Sequence, residues 1–321
     1  LCKTFGPPES LVLDDVDEPV AGDGQIVIDI HACAVNFPDV LMIQDMYQFK
    51  PPLPFSPGAE VAGVVSEVGP GVTDLAVGDR VIASPGWGGL AEKVAVAAGS
   101  VIPVPDDIDL THASAFLYAY GTSHYALKQR AKLQPGESLV VLGAAGGVGL
   151  AAVELGAVMG ANVIAAASTD DKLELCKQYG ASMTINYATE DLKTRIRELT
   201  GGVGADVVYD AVGGEYSELA LRSMAWEGRF LVIGFAAGTI PKIPLNLALL
   251  KSCDIVGVFW GAFVGRNRAQ HQENVAELIQ WWREGKLSPH VSSVYPLERA
   301  SDAIRELADR KAKGKVVVEI R

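Results

Sequence analysis

The run Leu142-Gly143-Ala144-Ala145-Gly146-Gly147-Val148-Gly149 has the residue types and spacing to hold a dinucleotide. It is the GxGxxG fingerprint with alanine (Ala144) in place of the first glycine; Gly146 lets the backbone approach a pyrophosphate, and Gly149 lets the following helix pack closely on the strand. A helix over 147–159 would aim its unpaired N–H groups and positive dipole end at that pyrophosphate. Glycine turns also occur in ordinary βαβ units, so the string alone is weak. Its context is more specific: an apolar, β-branched run, Ser138–Leu142, leads into it, and a second such run, Asn162–Ala167, follows the helix.

The end of that second strand bears on which nucleotide is bound. An acidic side chain there holds the ribose 2′-OH of NAD, whereas its absence beside a cation admits a 2′-phosphate. Here the position is Ala167, followed by the hydroxyls of Ser168 and Thr169 and by Lys172 in the next helix. Lys172 has two readings, a point charge reaching back to a phosphate or a solvated helix residue. Asp170 and Asp171 keep a ribose contact open if the strand end shifts by a few residues.

A chain of 321 residues exceeds the usual size of one core, so two domains are expected. With 49% apolar residues, 21% charged and 34 glycines, the composition is that of a globular α/β enzyme rather than a disordered or fibrous chain. A net charge of -12, with no basic stripe, argues against broad nucleic-acid binding. Cys2, Cys33, Cys176 and Cys253 have neither CxxC nor paired spacing, and no run of 18 apolar residues or signal peptide is visible, so a cytoplasmic setting without membrane attachment is expected.

Residues 1 to about 115 read as short strands punctuated by Gly and Pro, among them 25–34, Glu60–Val68 and a turn at Gly78-Asp79 leading into a strand. From about 117, helices alternate with six apolar strands: Ser138–Leu142, Asn162–Ala167, 183–185, 207–209, 229–233 and 254–259. That is the pattern of a doubly wound parallel sheet. Two helices, 269–283 and 297–308, and a last strand, 316–320, are expected to return to the first domain. The domains are therefore placed at 1–116 with 261–321, and at 117–260. Asp79 and Glu60 are read as fixing turns and strand ends, and Trp226, Trp281 and Trp282 as packing residues.

Six segments in order resemble the zinc-free quinone oxidoreductase branch of the medium-chain dehydrogenase/reductase superfamily, over essentially the whole chain. They are Asn36-Phe37-Pro38-Asp39, Pro57-Gly58-Ala59-Glu60-Val61-Ala62-Gly63, Gly78-Asp79-Arg80-Val81, Ala144-Ala145-Gly146-Gly147-Val148-Gly149, Ile185-Asn186-Tyr187 and Gly314-Lys315-Val316-Val317-Val318. The resemblance implies an α/β fold with a β-rich GroES-like catalytic domain and a Rossmann-type doubly wound sheet. It implies NADP(H) as cofactor, with Ala145, Gly146, Gly147 and Val148 at the turn and Ser168, Lys172 and Tyr187 around the 2′-phosphate. Thr122, Phe235, Trp260 and Lys315 map to the nicotinamide side of the cleft, together with Asn36, which is a candidate catalytic residue beside Tyr47. It also implies a homodimer, formed by pairing the strand at 254–259 across a two-fold axis.

Zinc-bearing relatives place Cys where this chain has Asn36, His where it has Ala59, and Cys or His where it has Tyr120. Catalytic zinc needs three N, S or O ligands plus water, and Ala59 supplies none, so no metal is expected. His31, His112, His124, His271 and His290 show no metal-binding spacing either. Without a Lewis acid, the substrate must accept hydride readily, as quinones, enones and enoyl thioesters do. Tyr47, 11 residues after Asn36, stands where related enoyl-thioester reductases have a proton donor. It is read either as that acid or as a wall that stacks on a flat substrate. Ile43 and Asp45 depart from the best-known quinone reductases, and Ile43-Gln44 looks more like the enoyl reductases. The expected function is NADPH-dependent reduction of a small conjugated carbonyl. The alternatives are a 2-enoyl thioester reductase and, in another class, a non-catalytic nucleotide-binding or structural protein.

Overall fold

The computed structural model describes residues 1–321, which form two compact units: Leu1–Tyr118 with Pro289–Arg321, and Ala119–Ser288. In the first unit, β1 (Gln25–Val35), β2 (Glu60–Val68), β3 (Arg80–Ala83), β4 (Lys93–Ala97) and β5 (Val101–Pro103) are mostly antiparallel. A short helix, α1 (Phe37–Met42), follows β1, and α2 (Leu110–Ser114) follows β5. The apolar residues of β1 and β2 meet in a core that includes Ile26, Ile28, Ile30, Val61 and Val65, each at most 1% exposed. Burying each such side chain is worth about 1.5–3 kcal/mol, which offsets the entropy of ordering these short strands.

The second unit is the doubly wound sheet. Helix α3 (Leu117–His124) runs into a π-helical stretch, Tyr125–Ala131, and then β6 (Ser138–Leu142) opens the sheet. It continues with α4 (Gly147–Val158), β7 (Asn162–Ala167), α5 (Asp170–Gln178), β8 (Met183–Asn186), α6 (Leu192–Leu199), β9 (Ala205–Asp210), α7 (Gly214–Leu221), β10 (Met224–Val232), α8 (Asn246–Lys251) and β11 (Asp254–Gly257). The spatial order is β11-β10-β9-β6-β7-β8, all parallel. The chain reverses direction of travel between β6 and β9, the switch point outside which such sheets bind ligands. Leu139, Val140, Val141 and Leu142 are all fully buried because helices cover both faces of β6. The last strand, β11, forms one edge of the sheet.

Two helices follow β11, α9 (Trp260–Arg266) and α10 (Arg268–Arg283), and they belong to the second unit. The sequence pattern assigned 261–288 to the first domain; the boundary instead falls at 288/289. The reason is the face these helices bury: Glu277 pairs with His124 at 2.7 Å and Lys128 at 2.6 Å, and Phe263 stacks on Tyr125 at 4.1 Å. Apolar periodicity locates α10, though not the short α9, and does not name the surface they meet. The returning segment after Pro289 does join the first unit, as β12 (Val291–Pro296), α11 (Ala300–Ala308) and β13 (Lys315–Glu319), with β13 pairing antiparallel to β1. Trp226, read as a packing residue, is instead 67% exposed on β10, whereas Trp281 packs edge-on against His124. No helix is long and apolar enough to cross a membrane.

Candidate active site

In the second unit the turn after β6 has the form that its sequence predicts. Gly143 has φ of +71° and accepts the N–H of Gly146 at 3.0 Å, while the N–H groups of Gly143 and Ala144 bond to Ala166 on β7. Gly146 is the N-cap of α4 and offers no side chain to cap it. The N–H groups of Ala145, Gly147 and Val148 consequently find no acceptor in the protein. A Cβ at Gly149 would lie 2.1 Å from the Gly143 oxygen, so only glycine lets α4 sit this close to the turn. At Gly146 the nearest atom to such a Cβ is 3.4 Å away, leaving open space over the turn. Unpaired donors at the positive end of a 12-residue helix, with room above them, fit the pyrophosphate of a dinucleotide.

Ala167 ends β7 as expected and is 2% exposed, so no carboxylate stands at the strand end. The two nearby acids are engaged elsewhere: Asp170 accepts from the Asn186 side chain at 2.7 Å, and Asp171 accepts from Thr169. Their place in the first turn of α5 suits its dipole. Ser168 and Lys172 flank this strand end, and Tyr187, whose N–H donates to the Ala167 oxygen at 3.1 Å, is brought to the same edge by the β7–β8 register. The Tyr187 ring leans on Tyr216, 4.5 Å between centroids. Ser168, the first turn of α5 that carries Lys172, and Tyr187 thus lie at the C-terminal ends of β7 and β8.

The remaining residues mapped to the nicotinamide side in this unit lie in three places. Trp260 is buried at the start of α9, packed so closely on Gly121 that a Cβ there would come within 2.9 Å of the indole. Thr122, next to Gly121, is half-buried on α3. Phe235, half-buried in the loop after β10, covers Gly213, whose φ of +73° and lack of Cβ admit the ring. Tyr120 is buried and donates to Glu154 at 2.6 Å.

In the first unit Asn36 and Lys315 come together in a buried polar cluster. Asn36 caps α1 and accepts from the Lys315 ammonium at 2.6 Å; its two amide N–H groups go to the Ala34 oxygen and to Glu60, each at 3.2 Å. Lys315 also donates to Glu60 at 3.0 Å, and the other oxygen of Glu60 accepts the backbone N–H of Tyr118 at 2.7 Å. Glu60 and Asp39 are fully buried and Lys315 is 5% exposed. Asp39 accepts the N–H groups of Asn36 at 2.7 Å and Gly58 at 3.0 Å. Burial nevertheless pushes its carboxyl up to about 6 against those two bonds and the pull of Lys315.

Tyr47 lies in the loop after α1, half-buried against the first core and tilted on Phe49 at 5.9 Å. Its hydroxyl makes no hydrogen bond within the protein, and burial, helped by the Asp39 charge, raises its pKa, so it keeps its proton. Tyr118 is raised in the same way, first by burial and then by Tyr47, Asp39 and Glu60.

Glu60, Asp39 and Tyr118 are the members of this cluster that the sequence reading missed. Asp79, grouped with Glu60, does fix a turn, accepting the Ala76 N–H at 2.8 Å. Glu60 does not; it opens an otherwise apolar strand, and a carboxylate in such a run requires a buried partner. That was the available signal.

The family description "Zinc-binding dehydrogenase" matches residues 147–281, and "Alcohol dehydrogenase GroES-like domain" matches 22–106. The chain is 40% identical over 321 residues to the quinone oxidoreductase-like protein 2 homolog of Nematostella vectensis, covering 99% of this chain and 87% of that one. Among solved structures, a mycobacterial protein complexed with NADPH is 33% identical with a TM-score of 0.93, covering 99% of this chain and 98% of that one. The Escherichia coli quinone oxidoreductase complexed with NADPH is 29% identical with a TM-score of 0.92, over the same shares.

Proposed function

The chain belongs to the quinone oxidoreductase branch of the medium-chain dehydrogenase/reductase superfamily, and from that premise we propose that it is an NADPH-dependent, zinc-independent reductase of quinones or other α,β-unsaturated carbonyls. The observation that carries the cofactor is the pairing of unpaired N–H groups at Ala145, Gly147 and Val148 with an acid-free strand end at Ala167. Bound there, NADPH supplies hydride. The turn and α4 hold its pyrophosphate, and Ser168, Lys172 and Tyr187 hold the 2′-phosphate.

The donor set supports the absence of zinc from the mechanism. At the position of a His ligand stands the buried methyl of Ala59, and no three His, Cys, Asp or Glu side chains converge on a point that a metal could fill. Asn36 is committed to Lys315, Glu60 and Ala34, and Tyr120 to Glu154.

The first unit supplies Tyr47, an unengaged phenol that holds its proton, to protonate the carbon left negative after hydride arrives. That observation also favours a second reading, reduction of 2-enoyl thioesters, where such a proton is required. The test is NADPH consumption with quinones, simple enones and a crotonyl thioester. Turnover of quinones and enones supports the proposal, a large preference for the thioester moves it to the second reading, and silence across the panel leaves a nucleotide-binding protein without catalysis. A Tyr47→Phe variant should lose roughly 10²-fold or more in enone turnover; full retention makes Tyr47 a stacking wall. We further propose a homodimer paired through the β11 edge.

A further inference from the structure

Asn36 is a candidate catalytic residue, yet both N–H groups of its amide are taken, by Ala34 and Glu60. The cluster's remaining donor is Lys315. An ammonium has three N–H groups; Asn36 and Glu60 accept two of them at 2.6 and 3.0 Å, and the third has no acceptor in the protein. The side chain is 6% exposed and its carboxylate partner fully buried, so this charge sits where water screens it little.

We propose that Lys315 is the catalytic oxyanion donor of the reaction, with Glu60 and Asn36 as the residues that position it. This rests on the reductase reading above. When hydride adds to the β-carbon of an enone, the C=C π pair moves to the Cα–C bond and the carbonyl π pair moves to oxygen, giving an enolate. The third N–H of Lys315 meets that oxygen as its charge grows; the later proton goes to the α-carbon. A fixed cation needs no reorganisation at that moment, and it does the electrostatic work that a metal would otherwise do at a carbonyl.

Glu60 is suited to hold the ammonium still. One of its oxygens bonds both Lys315 and Asn36, and the other is pinned by the Tyr118 N–H. Asp39, fully buried beside them, grips the backbone at Asn36 and Gly58, which fixes the asparagine from the other side. Glu60 and Asn36 thus hold the ammonium directly, and Asp39 holds Asn36 through its backbone.

The test uses the full chain and three readouts. Lys315→Met should lower kcat on an enone by roughly 10²-fold or more, the usual cost of removing an oxyanion donor. Its Kd for NADPH should stay within about threefold, and Lys315→Arg should recover most of the rate. Independently of turnover, para-nitrophenolate, a stable stand-in for the enolate oxygen, should bind the wild-type protein at least about tenfold more tightly than Lys315→Met, a difference of about 1.4 kcal/mol. The neutral para-nitroanisole should bind both alike. Glu60→Gln should lower kcat with little change in KM, and circular dichroism melts establish that each variant is folded. Equal phenolate affinity in the wild type and Lys315→Met overturns the proposal, as does a large rise in NADPH Kd with kcat retained, which would make Lys315 a cofactor contact. Should Lys315→Met not fold, the same phenolate comparison with Lys315→Gln decides. An active wild type with an unaffected variant removes this inference alone; a wild type inactive on every acceptor removes the reductase reading with it.

Discussion

Gly149 and Gly146, three residues apart in one turn, should respond in opposite ways to the same added methyl group. At Gly149 the new Cβ would meet the Gly143 oxygen at 2.1 Å, the Gly143 carbonyl carbon at 2.9 Å and the Ala144 Cα at 3.0 Å. All three are backbone, so the turn itself must retreat by at least about 1.3 Å to bring the Gly143 oxygen to ordinary contact at 3.4 Å. Overpacking of this kind costs about 1–3 kcal/mol, and a backbone obstacle puts it in the upper half of that range. Alanine inside α4 returns up to about 1 kcal/mol of helix propensity, so Gly149→Ala should lose about 1–2 kcal/mol. For a unit of this size that is a melting temperature lower by roughly 2–8 °C.

Gly146→Ala meets nothing closer than 3.4 Å, and its backbone, at φ −80° and ψ 172°, is one that alanine adopts freely. The cost is that of a poorer N-cap, up to about 1 kcal/mol. Its methyl group, however, stands in the open space over the turn, where the pyrophosphate is placed, and NADPH should bind at least about tenfold more weakly, or about 1.4 kcal/mol. Thermal melts and NADPH fluorescence titrations on the two variants decide the matter. An unchanged melt for Gly149→Ala refutes the packing argument, and unchanged NADPH affinity for Gly146→Ala removes the pyrophosphate from this turn.

Lys172→Ala should raise the Kd of NADPH by roughly tenfold or more and leave that of NADH nearly unchanged, because only the phosphate is lost as a partner; equal effects in paired titrations sink the phosphate role. Asp39 has a raised carboxyl, so the folded chain binds a proton more tightly than the unfolded one. Its contribution is therefore fully present below about pH 4 and is lost as pH rises through about 6, a swing on the order of 3 kcal/mol. In urea melts the stability of the wild type minus that of Asp39→Asn should accordingly fall as pH rises across that window, and a rise contradicts the sign. Ile255 is 41% exposed on the edge strand β11, and Ile255→Lys should shift the sedimentation coefficient from dimer towards monomer; a wild type that sediments as a monomer removes the dimer.

What the sequence displays well is whatever a short stretch must satisfy by itself. β6 and β7 read correctly to the residue because a strand buried on both faces is apolar throughout and then stops at a glycine or a cap. The turn between β6 and α4 is legible for the same reason, since Gly146 and Gly149 answer to atoms within six residues of themselves. Helix α10 was found but assigned to the other domain, because an amphipathic pattern says that a face is buried and not against what, and α9 was not found. The polar cluster is the limiting case. Lys315 and Glu60 are 255 residues apart, and each alone looks like a solvated side chain on a strand end. Only β13 pairing with β1, and β1 with β2, brings the lysine over Asn36 and Glu60. Burial then does what spacing cannot: a lysine and a glutamate excluded from water must be paired, and once their bonds are counted, one N–H is left over for chemistry.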